Sequence, residues 1–260
     1  MNRVGRVGAG SSPQDMYNSL PIVTKYWITA AFSVTVLVNF GMLSPEYIYL
    51  NVPLIWKKFQ FWRLFSNFFF IGKFSFPTLI SLFMLVQYSQ KYEAGPFNTG
   101  GGGGTSDYAF MMIFGMMVLN AIGYFMALPF MAQPLIYMVM YVWSRRFPDT
   151  TVSFWGITVQ AMYAPWALVV LQLLMGASPF APLMGIAAGH LYYFLVEVVP
   201  DQFEWDLIKT PIFMINYFGY GAYHPTNTAP AGHPSRQQGT TAMRMPGGRQ
   251  WGQGHVLGTN

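Results

Sequence analysis

The chain has 260 residues, of which 53% are hydrophobic, 18% aromatic and only 9% charged. A soluble domain carries about 25% charged residues, so 9 acids and 14 bases cannot coat an ordinary cytosolic enzyme of this length. The composition points to a chain that crosses a membrane several times. The 23 Phe, 16 Tyr and 18 Met exclude intrinsic disorder for most of the chain. Without any Cys there is no disulfide scaffold and no Cys-ligated metal. The net charge of +5 is small and has no Lys/Arg-dense stretch, so no nucleic-acid partner is expected.

Residues 1–21 are rich in Gly, Ser and Asn and have no apolar core of a cleavable signal. They read as a cytosolic segment, with the first span acting as an uncleaved anchor. Stretches free of charge then mark the membrane domain, residues 22–200. Tyr26–Pro45 and Phe74–Gln90 each suit one span, whereas Tyr108–Ser144 and Thr150–Val196 are long enough for two. Pro129 and Gln133-Pro134 break the first long run, and Gly176–Pro179 with Pro182 break the second. The expected fold class is an all-α polytopic membrane protein with six spans, near 24–43, 75–93, 108–127, 131–145, 160–175 and 180–198.

Six spans leave both termini on one side. That side receives Arg3, Arg6, Lys25, Lys91, Arg145, Arg146, Lys209, Arg236, Arg244 and Arg249; the other receives Lys57, Lys58, Arg63 and Lys73. The bias places both termini in the cytosol. Residues 44–73, dense in aromatic side chains and interspersed with Lys and Arg, are expected to lie as a lumenal loop in the membrane interface. Gly100–Gly104 reads as a flexible linker, because neither a preceding strand nor a following Lys-Ser/Thr makes it a phosphate loop. Residues 201–221 form a juxtamembrane amphipathic segment. Residues 222–260, rich in Gly, Pro, Thr, Gln and Asn, read as a flexible cytosolic tail.

Catalytic chemistry is hard to assemble from these residues. His224, His233 and His255 lie in the tail without partners at metal spacing, and neither a metal nor a cofactor is expected. His190 is intramembrane, which makes it a functional candidate; with no intramembrane Asp or Glu available to pair with it, and Glu197 two turns away at the span's end, it reads as a hydrogen-bonded packing residue facing the bundle interior. Gly185 and Gly189 place two small residues on one helical face, where a neighbouring backbone can approach closely.

In combination, these features look like the rhomboid superfamily: six spans, a long aromatic first lumenal loop containing Trp62 and Arg63, and a sixth span with Gly185-x-x-x-Gly189. The details resemble its derlin branch. They are Phe61–Leu64, Met138–Asp149 followed by Val152–Gly156, Gly189–Tyr192 and Leu207–Pro211, and the likeness runs from about residue 15 to the C-terminus. It implies a rhomboid-like helical bundle. An active rhomboid protease would need a Gly-x-Ser-Gly nucleophile at the head of the fourth span and a His three residues before Gly185. Here Gln133–Tyr141 lacks the serine, and the latter position is Pro182. Gly176-Ala-Ser178 lies in the wrong connection, and His190 follows the second glycine. The resemblance therefore implies a pseudoprotease with no catalytic residue.

In the tail, Trp251-Gly252-Gln253-Gly254-His255-Val256-Leu257-Gly258 looks like the SHP box of derlins, a peptide that docks on the N-domain of the valosin-containing protein AAA ATPase. Trp251 and Leu257 are its anchors, and the glycines let an extended backbone lie close. The implied function is to help move misfolded proteins from the endoplasmic reticulum to the cytosol. The implied partners are that ATPase, a membrane ubiquitin-ligase complex, misfolded clients, the lipid bilayer and further copies or relatives of the chain. An intramembrane serine protease and a small-solute transporter are the rivals. Finally, 14 residues from Met131 to Ser144 rise about 21 Å, less than the roughly 30 Å hydrocarbon core. A thinned bilayer beside spans two to five is expected, with Arg63 drawing headgroups inward.

Overall fold

The computed structural model describes residues 13–97, 99, 104–154, 157–203 and 207–218. A short helix α1 (Pro13–Asn18) precedes α2 (Ile22–Asn39). The connection to the next long helix is folded into a 3₁₀ turn (Pro45–Tyr47) and two short helices, α3 (Val52–Lys58) and α4 (Arg63–Ser66). Then come α5 (Phe76–Glu93), α6 (Gly104–Met126) and α7 (Ala132–Arg146). A hairpin of β1 (Thr151–Phe154) and β2 (Ile157–Gln160) leads to α8 (Ala164–Leu174). Helix α9 (Phe180–Tyr193) widens into a π turn (Phe194–Val198) and continues as α10 (Val199–Phe203), and α11 (Ile212–Phe218) closes the described chain.

Among the described residues, three stretches can cross a bilayer by length and composition: Ile22–Asn39, Gly104–Met126 and Phe180–Phe203. Helix α5 has the same 18 residues as α2, or about 27 Å, but ends in polar and charged residues. Helix boundaries follow local chemistry. Ser75 caps α5, accepting from Thr78 N at 3.4 Å, and Pro77 sits in its first turn. Proline likewise stands in the first turn of α8 and within α7 and α9, at Pro165, Pro134 and Pro182, where few internal N–H bonds are lost.

The core is built around α7. Every residue from Ala132 to Ser144 is buried except Gln133, which is half-buried. A helix apolar on all sides belongs in the middle of a bundle, and α5, α6, α8 and α9 surround it. Its closest neighbour is α9. A Cβ added at Gly185 would collide with the Pro134 carbonyl oxygen and come within 2.7 Å of Tyr137 Cβ; one at Gly189 would stand 3.0 Å from Tyr141 Cδ1 and 3.1 Å from the Met138 carbonyl oxygen. The two glycines let the backbones of α7 and α9 nearly touch. On α6, Gly115 and Gly123 make room instead for the flexible ends of Met138 and Met131.

Outward faces of the long helices stay apolar: Phe32, Phe40, Phe83, Met117, Phe125 and Phe180 are exposed. A belt of this kind is suited to lipid rather than water.

The structure corrects several expectations. The chain is mostly helical rather than all-α, because Thr151–Gln160, a stretch of β-branched and alternating residues, pairs as an antiparallel hairpin with Val152 opposite Val159. The fifth expected span is therefore α8 and begins at Ala164, not at 160. Helix α7 is short, but its neighbours enclose it, so it does not meet lipid. Gly104 opens α6, where its Cα packs against the Glu93 carbonyl, so it is no part of a free linker; Gly100–Gly103 lie outside the described residues.

Candidate functional site

The first loop is held by Arg63, which is only 3% exposed. It is the first residue of α4, and its side chain turns back under the loop. Nε donates to Gln60 Oε1 at 2.7 Å, while Nη1 donates to the carbonyls of Glu46 at 2.7 Å and Tyr49 at 3.0 Å. The guanidinium also lies 5.1 Å from the Tyr49 ring centroid, within cation–π range. One planar cation with five donors thus ties three parts of an irregular segment together. The neighbouring Trp62 is exposed, with its indole N–H on the Tyr47 carbonyl at 3.1 Å. This overturns the expectation that Arg63 draws headgroups inward, since its donors are turned to the loop's own carbonyls.

The loop is also joined to the bundle. Asn67 Nδ2 donates to the Arg63 carbonyl at 2.6 Å and to Asn120 Oδ1 at 3.1 Å, and Asn120 Nδ2 donates to the Leu64 carbonyl at 2.9 Å. Asn120, on α6, is therefore a structural clasp between the loop and the bundle. Outside, Tyr47, Trp56, Phe59, Phe61 and Phe65 remain exposed beside Lys57 and Lys58. That mixture is the chemistry of the membrane interface.

Ser178 lies two residues before α9, and His190 lies near the far end of that helix. The ten helical steps from Phe180 to His190 alone rise about 15 Å, so the two cannot form a nucleophile–base pair. Ser178 Oγ accepts from Phe180 N at 3.4 Å, as a helix-start residue does. His190 is exposed, and its Nδ1 lies 2.8 Å from the Tyr141 hydroxyl, which accepts from Arg145 Nε at 3.0 Å. This corrects the interior placement of His190: it stands on the outer face, hydrogen-bonded to α7. Pro182, three residues before Gly185, is buried. Among the described residues no His, Asp and Glu group could hold a metal.

The weakest wall of the bundle is α8. Its 11 residues rise only about 16 Å. Trp166, Val170 and Leu173 are exposed along it, and Leu174 at its end is 79% exposed. Behind it, between α5, α7 and α8, a cavity of about 30 Å³ is lined by Ser81, Tyr137 and Gln172 among apolar side chains, room for a water or two.

Sequence reasoning missed two buried carboxylates at the other end of the bundle. Pro21 offers no side-chain cap to α2, and Glu93 from the end of α5 supplies one. Its carboxylate accepts from Val23 N at 3.1 Å, Thr24 N at 2.8 Å and Thr24 Oγ1 at 2.6 Å. Thr24 Oγ1 continues to Ser89 Oγ at 2.8 Å, and Ser89 to the Tyr108 hydroxyl. Asp107 accepts from Thr99 Oγ1 at 3.1 Å and Thr210 Oγ1 at 2.7 Å, and Thr210 N donates to the Thr99 carbonyl at 3.0 Å. The segment after the last long helix is thereby fastened to the connection between α5 and α6. The signal was an acid at each edge of that connection, visible in the sequence but without its distant partners.

This bundle, with two glycines seating one helix on a buried central one and an arginine-tied first loop, has relatives among known proteins. Residues 20–212 match the Der1-like family. The chain belongs to the Der1-like family. It is 42% identical to Derlin-1 of Arabidopsis thaliana over 205 residues, covering 77% of this chain and 75% of that protein. Derlin-1 of Oryza sativa subsp. japonica is 39% identical over 208 residues, with 78% and 84% covered. The probable derlin-2 homolog of Dictyostelium discoideum is 37% identical over 211 residues, with 78% and 82% covered. In this Der1-like chain the family match holds α2 through the start of α11. Trp251, Gly252, Gln253, Gly254, Leu257 and Gly258 lie beyond it and outside the described residues.

Proposed function

We propose that this chain is a non-catalytic derlin of ER-associated degradation. It assists the passage of misfolded proteins from the endoplasmic reticulum to the cytosol and recruits a valosin-containing protein type AAA ATPase. Membership of the Der1-like family carries this reading. The chain sits in the ER membrane as six spans, α2, α5, α6, α7, α8 and α9–α10, with both termini cytosolic. The wide separation of Ser178 from His190 along α9 and the buried Pro182 support a role without proteolysis. Clients, a membrane ubiquitin-ligase complex and other copies or relatives meet the bundle within the bilayer.

The tail brings the ATPase. Trp251 and Leu257 anchor a short peptide in a groove, and losing such anchors costs about 2 kcal/mol or more, roughly thirtyfold in affinity. Affinity purification from mild detergent should recover the ATPase with the full chain. It should lose the ATPase with a chain ending at Arg249 and with Trp251→Ala/Leu257→Ala, at unchanged membrane insertion. Equal recovery with the double variant would remove the tail from the account.

Passage itself uses the α8 wall. An exposed helix of about 16 Å beside a core of about 30 Å is accommodated by thinning the adjacent lipid. In nanodiscs, spin labels along α8 should report a locally thinner hydrocarbon layer than labels on the outer face of α6. The same thickness at both faces would defeat this route.

A further inference from the structure

Outside the bundle core, a cavity of about 450 Å³ opens between α1, α2 and α5. That volume lies in the range of small-molecule sites, about 300–1,000 Å³. Ile28 and Phe32 of α2 and Val86 of α5 make its apolar wall, and Gln87, Gln90 and Tyr17 bring polar groups to it. Helix α1 is fastened over one side: the Tyr17 hydroxyl is 2.7 Å from Thr29 Oγ1. Lys25 stands against the same ring, with Nζ 5.3 Å from the Tyr17 centroid, and donates to the Asn18 carbonyl at 3.2 Å. An ammonium has three N–H donors, so this bond leaves two. The nearby Glu93 carboxylate does not oppose that charge across the cavity, since the start of α2 occupies it.

We propose that this cavity holds one anionic glycerophospholipid of the surrounding leaflet. It opens on the apolar outer surface at the end of the bundle where α2 begins and α5 ends, the end that also carries Lys91, Arg145 and Arg146. A lipid with its acyl chain along Ile28, Phe32 and Val86 brings its ester carbonyls level with the amide donors of Gln87 and Gln90. Its phosphate then reaches the Lys25 ammonium. Each part of the molecule meets a matching surface: chain to apolar wall, carbonyl to amide, anion to cation. A sterol would satisfy the wall but not Lys25, a zwitterionic lipid would bring its own headgroup cation beside the Lys25 ammonium, and a protein segment would need no such charge.

The test is photo-crosslinking of the full-length chain in phosphatidylcholine nanodiscs doped with phosphatidylserine or phosphatidylcholine carrying a diazirine in the acyl chain, with labelled peptides mapped by mass spectrometry. The phosphatidylserine probe should label residues 17–32 and 86–90 above the outer faces of α6 and α8. Filling the cavity from either wall, by Ile28→Trp or Val86→Trp, should remove that excess while labelling of α6 and α8 stays unchanged, which reports an intact fold. Lys25→Gln should lower it about fivefold, the effect of one interfacial basic residue. Three results would overturn the proposal: even labelling over all outer faces, undiminished labelling in both filled variants, or equal labelling by the two probes.

Discussion

Gly185→Leu is expected to melt the bundle at a markedly lower temperature than any other glycine substitution in the described core. Even the first added carbon meets the Pro134 carbonyl and Tyr137 Cβ, which are parts of a buried helix and cannot turn aside. Overpacking a close-packed interior costs about 1–3 kcal/mol, and relief here requires α7 and α9 to separate along their whole interface. A fall of roughly 5–10 °C in detergent follows, together with loss of function. Gly185→Ala should show the same sign. Gly189→Ala should be milder, because its Cβ would lie at 3.0–3.2 Å from its neighbours. Gly115→Ala should be milder still, since it meets the thioether end of Met138, which can swing away. A Gly185→Leu variant with unchanged melting would show that α7 and α9 do not meet at this face.

Arg63→Ala should loosen the first loop without unfolding the membrane helices. It leaves the Glu46 and Tyr49 carbonyls and the Gln60 amide oxygen without their donor. Unpaired buried groups cost about 1–3 kcal/mol each, partly recovered where water enters. Arg63→Lys, with one compact ammonium in place of a fork, should rescue only part. The sensitive readout is trypsin at the exposed Lys57 and Lys58. Cleavage should quicken at least tenfold in Arg63→Ala, whereas Trp62→Phe, which gives up a single bond to the Tyr47 carbonyl, should stay near wild type. Equal cleavage of Arg63→Ala and the unaltered chain would mean that the loop is held by its buried apolar side chains alone, Ile48, Ile55 and Phe68.

How much of this was legible in the sequence depends on the range of the interaction. Charge-free runs and proline breaks located the long helices to within a few residues, because hydrophobic length is a local property. The Gly185/Gly189 spacing marked a close-packing face, but not the partner, since nothing local says that Pro134 and Tyr137 stand opposite. The shortness of α7, the fourth expected span, was legible, while its enclosure was not: whether a helix meets lipid depends on where its neighbours sit. Arg63 misled for the same reason. A cation beside tryptophan in an aromatic loop has the composition of a headgroup site, and only the path of the chain brings the Glu46 and Tyr49 carbonyls under it. Glu93 and Asp107 are the clearest case, because their hydrogen-bond partners lie as far off as Thr24 and Thr210.

The most direct test of a non-catalytic role in passage is the release of a misfolded reporter with an intramembrane segment from ER-derived vesicles that lack their own derlins, supplied with the AAA ATPase and ATP. With this chain present, the reporter should appear in the supernatant at full length, and release should require ATP. It should be equal for the unaltered chain and for Ser178→Ala/His190→Ala, and fall to background with Trp251→Ala/Leu257→Ala. Reporter fragments cut within the membrane that vanish in Ser178→Ala/His190→Ala, with release indifferent to the ATPase, would contradict the account and make the protein a protease.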